Sequence, residues 1–235
     1  MSQITIKRRD IPDIQIKGGD HLHPLLHQIY KSRGVTDIKQ VEYQLKNLYQ
    51  PAGLLGLDQA VAILIDALKF NKRVLVVGDF DADGATATAL VIRAMRAFGA
   101  QFIDFVVPNR FDYGYGLSPE LVEDLQHRKP DLLITVDNGI SSHRGVAVAK
   151  SLGMQVIITD HHLPADELPA ADAIVNPNLN GDEFPSKNLA GVGVAFYLMA
   201  KLKSALQENG WFEEKRIKGK PWPAVNVAKW LDLVA

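Results

Sequence analysis

From Arg73 onward, short and wholly apolar runs alternate with segments whose apolar residues recur every three or four positions. Val74-Leu75-Val76-Val77, Leu132-Leu133-Ile134-Thr135-Val136 and Val156-Ile157-Ile158-Thr159 are apolar almost without a break rather than at every second residue. Strands read this way when helices cover both faces of their sheet, as in parallel sheets. The pattern predicts strands at 73–78, 102–107, 131–136, 155–159 and 172–175, with helices at 84–98, 118–128 and 142–152. Strand and helix in alternation give the fold class as α/β, a parallel five-stranded sheet flanked by helices. Local punctuation agrees. Ser118-Pro119-Glu120 offers a capping hydroxyl and a proline at the first helical position. Gly99 and Gly153 follow helix ends, where a left-handed residue is wanted.

The first 72 residues carry no strand pattern. They show helical spacing instead, in Leu22, Leu25, Leu26, Ile29 and Tyr30 and again in Val61, Leu64, Ile65 and Leu68. Arg33-Gly34 and Pro51-Ala52-Gly53 break these stretches, and Asp58 stands where it could cap the last of them. Two parts are therefore expected, a small helical N-terminal region over 1–72 and an α/β domain over 73–235. After Asn176-Pro177-Asn178 comes a polar loop, then a helix from Gly191-Val192-Gly193 to about Leu206, an excursion over 211–223 and a last helix over 227–235. That helix is apolar to its final residue with no cap or stop, so the chain is expected to continue beyond it.

Composition narrows the chemistry without choosing it. With 47% hydrophobic and 23% charged residues, the 235-residue chain is ordinary for a soluble globular protein. A formal net charge of -1 gives no global pull toward nucleic acid, so a polyanion would have to be held by a local patch. There are no cysteines, which removes disulfides, thiolate metal sites and cysteine nucleophiles together. No stretch has the length and apolarity of a signal peptide or a bilayer span, so a cytoplasmic location with no membrane partner is expected.

Three of the predicted strands are each followed by a carboxylate cluster: Asp79-Phe80-Asp81-Ala82-Asp83-Gly84, Asp137-Asn138-Gly139 and Asp160-His161-His162. In a parallel sheet the carboxyl ends of neighbouring strands share one edge, so ligands far apart in sequence meet in one crevice. Three acidic groups within five residues repel one another unless a cation is present, which makes a metal site for phosphoester chemistry the leading reading. Others stand beside it. Asp79, Asp81, Asp83 and Gly84 match the first half of a calcium loop, but Leu90 occupies the place of its last ligand and the segment follows a strand. An Asp-x-Asp nucleophile of the haloacid-dehalogenase kind fits the strand and leaves Asp160-His161-His162 unexplained. One aspartate alone would suffice to cap the helix that follows, and Asp137-Asn138-Gly139 is also turn chemistry.

His161 and His162 are adjacent, so in an extended segment their side chains diverge; one is expected to ligate and the other to face substrate. Carboxylate and imidazole ligands without sulfur favour Mn²⁺ or Mg²⁺, with Zn²⁺ an option. Two such ions bridged by a carboxylate would activate water and neutralise a leaving oxygen. Gly191-Val192-Gly193 is a partial dinucleotide fingerprint with no strand before it, more simply a helix start that could approach a phosphate. Asn109-Arg110-Phe111-Asp112-Tyr113-Gly114-Tyr115-Gly116 mixes a planar cation with aromatic rings, which suits phosphate contact and base stacking and equally a plain surface loop. The basic runs Lys7-Arg8-Arg9 and Lys215-Arg216-Ile217-Lys218-Gly219-Lys220 read as solvated.

With Gly78-Asp79-Phe80-Asp81-Ala82-Asp83-Gly84, Asp137-Asn138-Gly139 and Thr159-Asp160-His161-His162 in this order, the chain resembles the DHH phosphoesterase superfamily. Pro108-Asn109-Arg110, Gly114-Tyr115-Gly116-Leu117-Ser118, Asn176-Pro177-Asn178 and Leu189-Ala190-Gly191-Val192-Gly193 narrow the resemblance to the RecJ-type family of single-strand-specific DNA exonucleases. It spans nearly the whole chain, including Ser32-Arg33-Gly34-Val35 in the helical lead.

The resemblance implies 5′-to-3′ removal of mononucleotides from single-stranded DNA in recombination and repair, with Mn²⁺ or Mg²⁺ in a two-metal site. A helicase and a single-strand-binding protein are the candidate partners. By motif, Asp81, Asp83, Asp137 and His161 would be metal ligands with Asp137 the bridge, and Asp79 a ligand or a group just behind them. Asp160 would orient the histidines and His162 would meet the scissile phosphate, with Arg110, Asn109 and the Gly191-Gly193 helix start as phosphate contacts.

The family's fourth motif, which carries a further metal-binding aspartate, falls beyond Leu231-Asp232-Leu233-Val234-Ala235, as do its second core domain and nucleic-acid-binding domain. The expectation is thus an N-terminal fragment of a longer exonuclease, weak or inactive by itself. A small-nucleotide phosphodiesterase or pyrophosphatase of the same superfamily, or a non-catalytic module binding DNA or a partner, are the alternatives.

Overall fold

A computed structural model describes residues 7, 10–42, 44–214, 216–217, 220–223 and 225–234. The chain divides into two compact units, Met1–Gln50 and Pro51–Ala235. In the first, helix α1 (Pro24–Ser32) is opened by His23, whose ring Nδ1 accepts the Leu25 N–H at 3.2 Å. Two 3₁₀ turns follow, Ile38–Val41 and Leu45–Asn47, the former held by a capping box between Asp37 and Gln40. Strand pairing in the described part of this unit is limited to one Lys17–Asp37 bridge. The apolar stripe foretold a helix correctly from Pro24 onward, with Leu22 ahead of it, but α1 buries none of its residues.

The second unit opens with α2 (Leu57–Lys69), which buries Leu57, Ala60, Val61, Leu64, Ala67 and Leu68. Its cap is Gly56, at φ +72°, and a Cβ there would lie 2.0 Å from the Ile174 carbonyl oxygen. Only glycine accepts both the left-handed backbone and that approach. Asp58, expected to cap, pairs instead with Lys201 at 3.1 Å. Because α2 packs into the core of the α/β unit, the boundary drawn after residue 72 falls after Gln50.

Strands β1 (Val74–Val77), β2 (Ile103–Val106), β3 (Leu132–Val136), β4 (Gln155–Thr159) and β5 (Ala173–Val175) form one parallel sheet in the order β2-β1-β3-β4-β5. Val74, Val76, Leu132, Ile134 and Ile157 pack on one face with α2, α3 (Ala82–Phe98) and α7 (Gly191–Glu208). Leu75, Val77, Leu133, Val156 and Ile158 pack on the other with α5 (Pro119–Leu125) and α6 (His143–Ser151). Alternate side chains thus meet helices on both sides, which is why the strand runs are apolar without interruption.

Several elements differ from the sequence pattern. Helix α3 begins at Ala82 rather than residue 84, because Asp81 caps it by accepting the Gly84 N–H at 3.0 Å. A short helix α4 (Arg110–Tyr113) forms where a loop was expected. The last segment winds as a 3₁₀ helix, Val227–Leu233, with Ala235 outside the described residues. The excursion holds α8 (Trp211–Glu214) and an antiparallel pair, β6 (Arg216–Ile217) with β7 (Lys220–Pro221). The indole N–H groups of Trp211 and Trp222 donate to the Phe98 and Ala97 carbonyls, closing the end of α3. In the basic runs, Arg8, Arg9, Lys215, Lys218 and Gly219 lie outside the described residues. No helix among the described residues is long and apolar enough to cross a membrane.

Candidate metal centre

The chain leaves β1 for the edge strand β2 and returns to β3 on β1's other side, so the sheet's topological switch point lies between β1 and β3. Ligands bind open α/β sheets in the crevice beyond the carboxyl ends of such a pair. Asp79 follows β1, Asp137 follows β3 and Asp160 follows β4.

Two of the three aspartates after β1 act on helix ends. Asp81 caps α3, as described above. Asp83 accepts the N–H groups of Gly191 at 2.8 Å and Val192 at 2.6 Å, and so caps α7 from more than a hundred residues away. One Asp83 oxygen also lies 3.6 Å from His161 Nε2. The helix-cap reading of this segment therefore holds for Asp81 and Asp83, and the Asp83 Oδ2 that accepts the Gly191 N–H is also the oxygen nearest His161.

Asp137 sits in a left-handed backbone conformation, φ +61°, with its side chain buried. Aspartate tolerates this region better than most residues, and such conformations concentrate at functional sites. A Cβ on Gly191 would fall 2.5 Å from Asp137 Oδ1, so glycine at the start of α7 is what lets that helix close over the carboxylate. His161 Nε2 approaches the same oxygen to 3.0 Å but not along a hydrogen-bonding direction, and Asp137 Oδ1 has no hydrogen-bond partner. Burial, only partly offset by His161, pushes the Asp137 carboxyl above the ordinary carboxylate range. The Asp137 carboxylate in turn raises the His161 imidazole, against the lowering effect of burial. Asn138 donates from Nδ2 to the carbonyls of Val77 at 3.1 Å and Val136 at 2.9 Å, tying β1 to β3 beneath the site.

Asp160 is buried and holds both histidines. Its Oδ1 accepts the His161 N–H at 2.7 Å, the His162 N–H at 3.1 Å and His162 Nδ1 at 2.7 Å, while Oδ2 accepts the Ile140 N–H at 2.9 Å. These bonds curl the backbone beyond β4, so the alternation of an extended segment does not apply. The expected divergence of the two rings gives way to ring centroids 4.6 Å apart. Asn176 and Asn178 donate to the His162 and His161 carbonyls, fixing the pair from the loop after β5. Their part was missed from sequence, although Asn176-Pro177-Asn178 marked a turn whose side chains bond to backbone.

On the opposite rim Arg110 Nη2 donates to both Asp79 oxygens, at 3.0 and 2.8 Å, with its plane over the Phe80 ring at 3.9 Å and the Tyr115 ring at 4.9 Å. Tyr115 donates to the Asp137 carbonyl at 3.2 Å, and burial followed by the Asp160 charge pushes its phenol well above the usual range, so it stays protonated. The remaining expected phosphate contacts are engaged elsewhere. Asn109 caps α4 and donates to Asp112 at 2.6 Å. The Gly191 N–H is on Asp83, and Gly193 makes room for the Leu189 side chain.

Two groups of side chains bring ligand atoms within 4.8 Å of one another: Asp79, Asp81 and Asp137, and Asp137, His161 and His162. Asp137 belongs to both. Its Oδ1 makes no hydrogen bond yet lies 3.0 Å from His161 Nε2, a spacing that two donors to one cation could adopt. Oxygen and imidazole donors suit Mn²⁺, Mg²⁺ or Zn²⁺.

A family model described as "DHH family, N-terminal domain" matches residues 73–221. The single-stranded-DNA-specific exonuclease RecJ of Escherichia coli K12 is 52% identical over 233 residues, covering 99% of this chain and 39% of its own. That of Bacillus subtilis 168 is 37% identical over 192 residues, covering 80% and 24%. A crystal structure of exonuclease RecJ bound to manganese superposes with a TM-score of 0.64 at 35% identity, over 80% of this chain and 43% of that one. RecJ from Thermus thermophilus in complex with Mn²⁺ gives 0.63 at 32% identity, over 87% and 26%. This chain spans about two-fifths of the length of the E. coli relative. By its matched family model and its parallel five-stranded sheet, the chain belongs to the DHH family.

Proposed function

We propose that this chain supplies the metal-holding core of an exonuclease that hydrolyses single-stranded DNA from the 5′ end to mononucleotides, in DNA repair and recombination. The observation that carries this reading is Asp137 Oδ1, a buried carboxylate oxygen with no hydrogen-bond donor at the point shared by both ligand groups. Asp137, His161, Asp81 and Asp83 would hold Mn²⁺ or Mg²⁺, the ions that RecJ relatives of known structure carry. When bound, such ions neutralise phosphoryl charge and activate water.

The protein's own groups do the rest. Asp160 grips His162 through Nδ1 and fixes its ring, and Nε2 makes no hydrogen bond among the described residues, leaving it available to a phosphate oxygen. Arg110 presents a planar cation beside the centre, suited to phosphate contact. Tyr115, kept as a neutral phenol, can donate but not repel a phosphate.

Mn²⁺ titration followed by paramagnetic resonance, with Asp137→Asn in parallel, tests the centre. Uptake by the wild type, weakened at least about tenfold in the variant, is expected. Hydrolysis is read separately on 5′-labelled single strands, duplexes and dinucleotides. Mn²⁺-dependent release of mononucleotides from the 5′ ends of single strands is the expected product pattern. Cleavage confined to dinucleotides, or DNA retention with no Mn²⁺ uptake, overturns the reading.

A further inference from the structure

Resting on the metal-centre reading above, we propose that Asp79 is a positioning residue for Arg110 and not a ligand of the cation, although it lies within reach of one ligand group. Both Asp79 oxygens are already engaged. Oδ1 accepts the Phe80 N–H at 2.7 Å and Arg110 Nη2 at 3.0 Å, and Oδ2 accepts Nη2 at 2.8 Å. Asp79 is buried, whereas the Arg110 side chain is 42% exposed. A buried carboxylate needs a partner of opposite charge, and here it has one that is not a metal.

Moving Asp79 onto a dication would place that ion beside a guanidinium sharing the same carboxylate, and like charges disfavour this. Asp83 is engaged as well, but by the backbone N–H groups of Gly191 and Val192 and not by a guanidinium, and among the described residues the ion pairs of Asp83 and Asp137 are with His161.

The surroundings of Arg110 are those of a held instrument rather than a loose surface arginine. Phe80 and Tyr115 cover its plane, and Asp79 takes one nitrogen. Nε and Nη1 make no hydrogen bond among the described residues, so the guanidinium keeps N–H donors for phosphate oxygens while Nη2 is held on Asp79. Gly84 contributes too: a Cβ there would lie 2.5 Å from Asp79 Cβ, so glycine is what lets the first turn of α3 pass this close to Asp79. The side chain that opens the acidic cluster thus serves substrate through Arg110, while its neighbours serve the cation.

The test uses the full chain with Asp79→Asn, Asp79→Glu, Arg110→Gln and, as the ligand control, Asp137→Asn. Mn²⁺ affinity is followed by paramagnetic resonance, and the reactivity of Arg110 toward p-hydroxyphenylglyoxal by mass-spectrometric mapping. Asp79→Asn is expected to keep Mn²⁺ affinity within about threefold while Arg110 modification rises several-fold, with Asp79→Glu restoring protection. Asp137→Asn is expected to do the reverse. Should Asp79→Asn fold poorly, Arg110→Gln decides: unchanged Mn²⁺ affinity supports the assignment, and tighter binding shows that Arg110 had been withholding a ligand. Loss of Mn²⁺ in Asp79→Asn comparable to Asp137→Asn, or unaltered Arg110 reactivity, overturns it. If the wild type takes up no Mn²⁺, the metal-centre reading fails, and the modification arm alone still decides whether Asp79 holds Arg110.

Discussion

Asp137 and His161 share one oxygen-to-nitrogen contact of 3.0 Å, and each is pushed toward its protonated form, Asp137 first by burial and His161 first by Asp137. With its value raised above the ordinary 6.5, His161 retains a proton at pH values where a free imidazole has lost it. A cation must displace that proton, since metals bind the neutral ring. Mn²⁺ affinity should therefore fall as pH drops through the raised His161 value, and binding near neutrality should release a proton. Calorimetry in buffers of different ionisation enthalpy, between about pH 6 and about pH 8, measures both; an affinity flat over that window would show that no proton stands in the cation's place. That the carboxylate clusters would meet was legible in sequence, because the carboxyl ends of neighbouring parallel strands share one edge of the sheet. Their division of labour was not. Asp83 caps α7 across a separation of 108 residues, a partner that local spacing does not show, and Asn109 is taken up by capping its own short helix.

At the scale of elements, unbroken apolar runs marked β1, β3 and β4 because both faces of the sheet are covered there, whereas the edge strand β2 exposes Asp104 and Phe105, and the offsets were a residue at an end. What local pattern could not supply was allegiance. The stripe on α2 and the stripe on α1 read alike, yet α2 buries six residues in the α/β core and α1 buries none. Spacing reports that a face is apolar and not what it meets. If α2 belongs to the α/β unit, Leu64→Ala should destabilise that unit by roughly 2–5 kcal/mol, as large-to-small changes at buried sites do. Denaturant unfolding followed by tryptophan fluorescence reports on this unit, since Trp211, Trp222 and Trp230 all lie in it. A change under about 0.5 kcal/mol, the level of a surface substitution, would return α2 to the N-terminal lead. The last segment shows the opposite failure: its apolar content suggested an α-helix, but it winds as a 3₁₀ helix with Trp230, Leu231 and Leu233 against the core.

For the molecule as a whole, a net charge of -1 supplies no global pull on a polyanion, and the crevice at the switch point is rich in carboxylates. On the proposed function, attraction to DNA would be local and dependent on the cation, with Arg110 paired to Asp79 beside it. The fold fastens the loops after β1, β3, β4 and β5 to one another rather than leaving them to flex. Asp160 is the clearest case. One buried carboxylate accepts backbone N–H groups from the loop after β3, at Ile140, and from both histidines after β4. Those amides cannot meet solvent separately, so the three should exchange their hydrogens for deuterium at one common rate, set by the release of that single side chain. Asp160→Asn should unlock them together while the strand amides beneath keep their protection. Isotope exchange would thereby register whether the crevice is assembled, with neither metal nor nucleic acid in the tube.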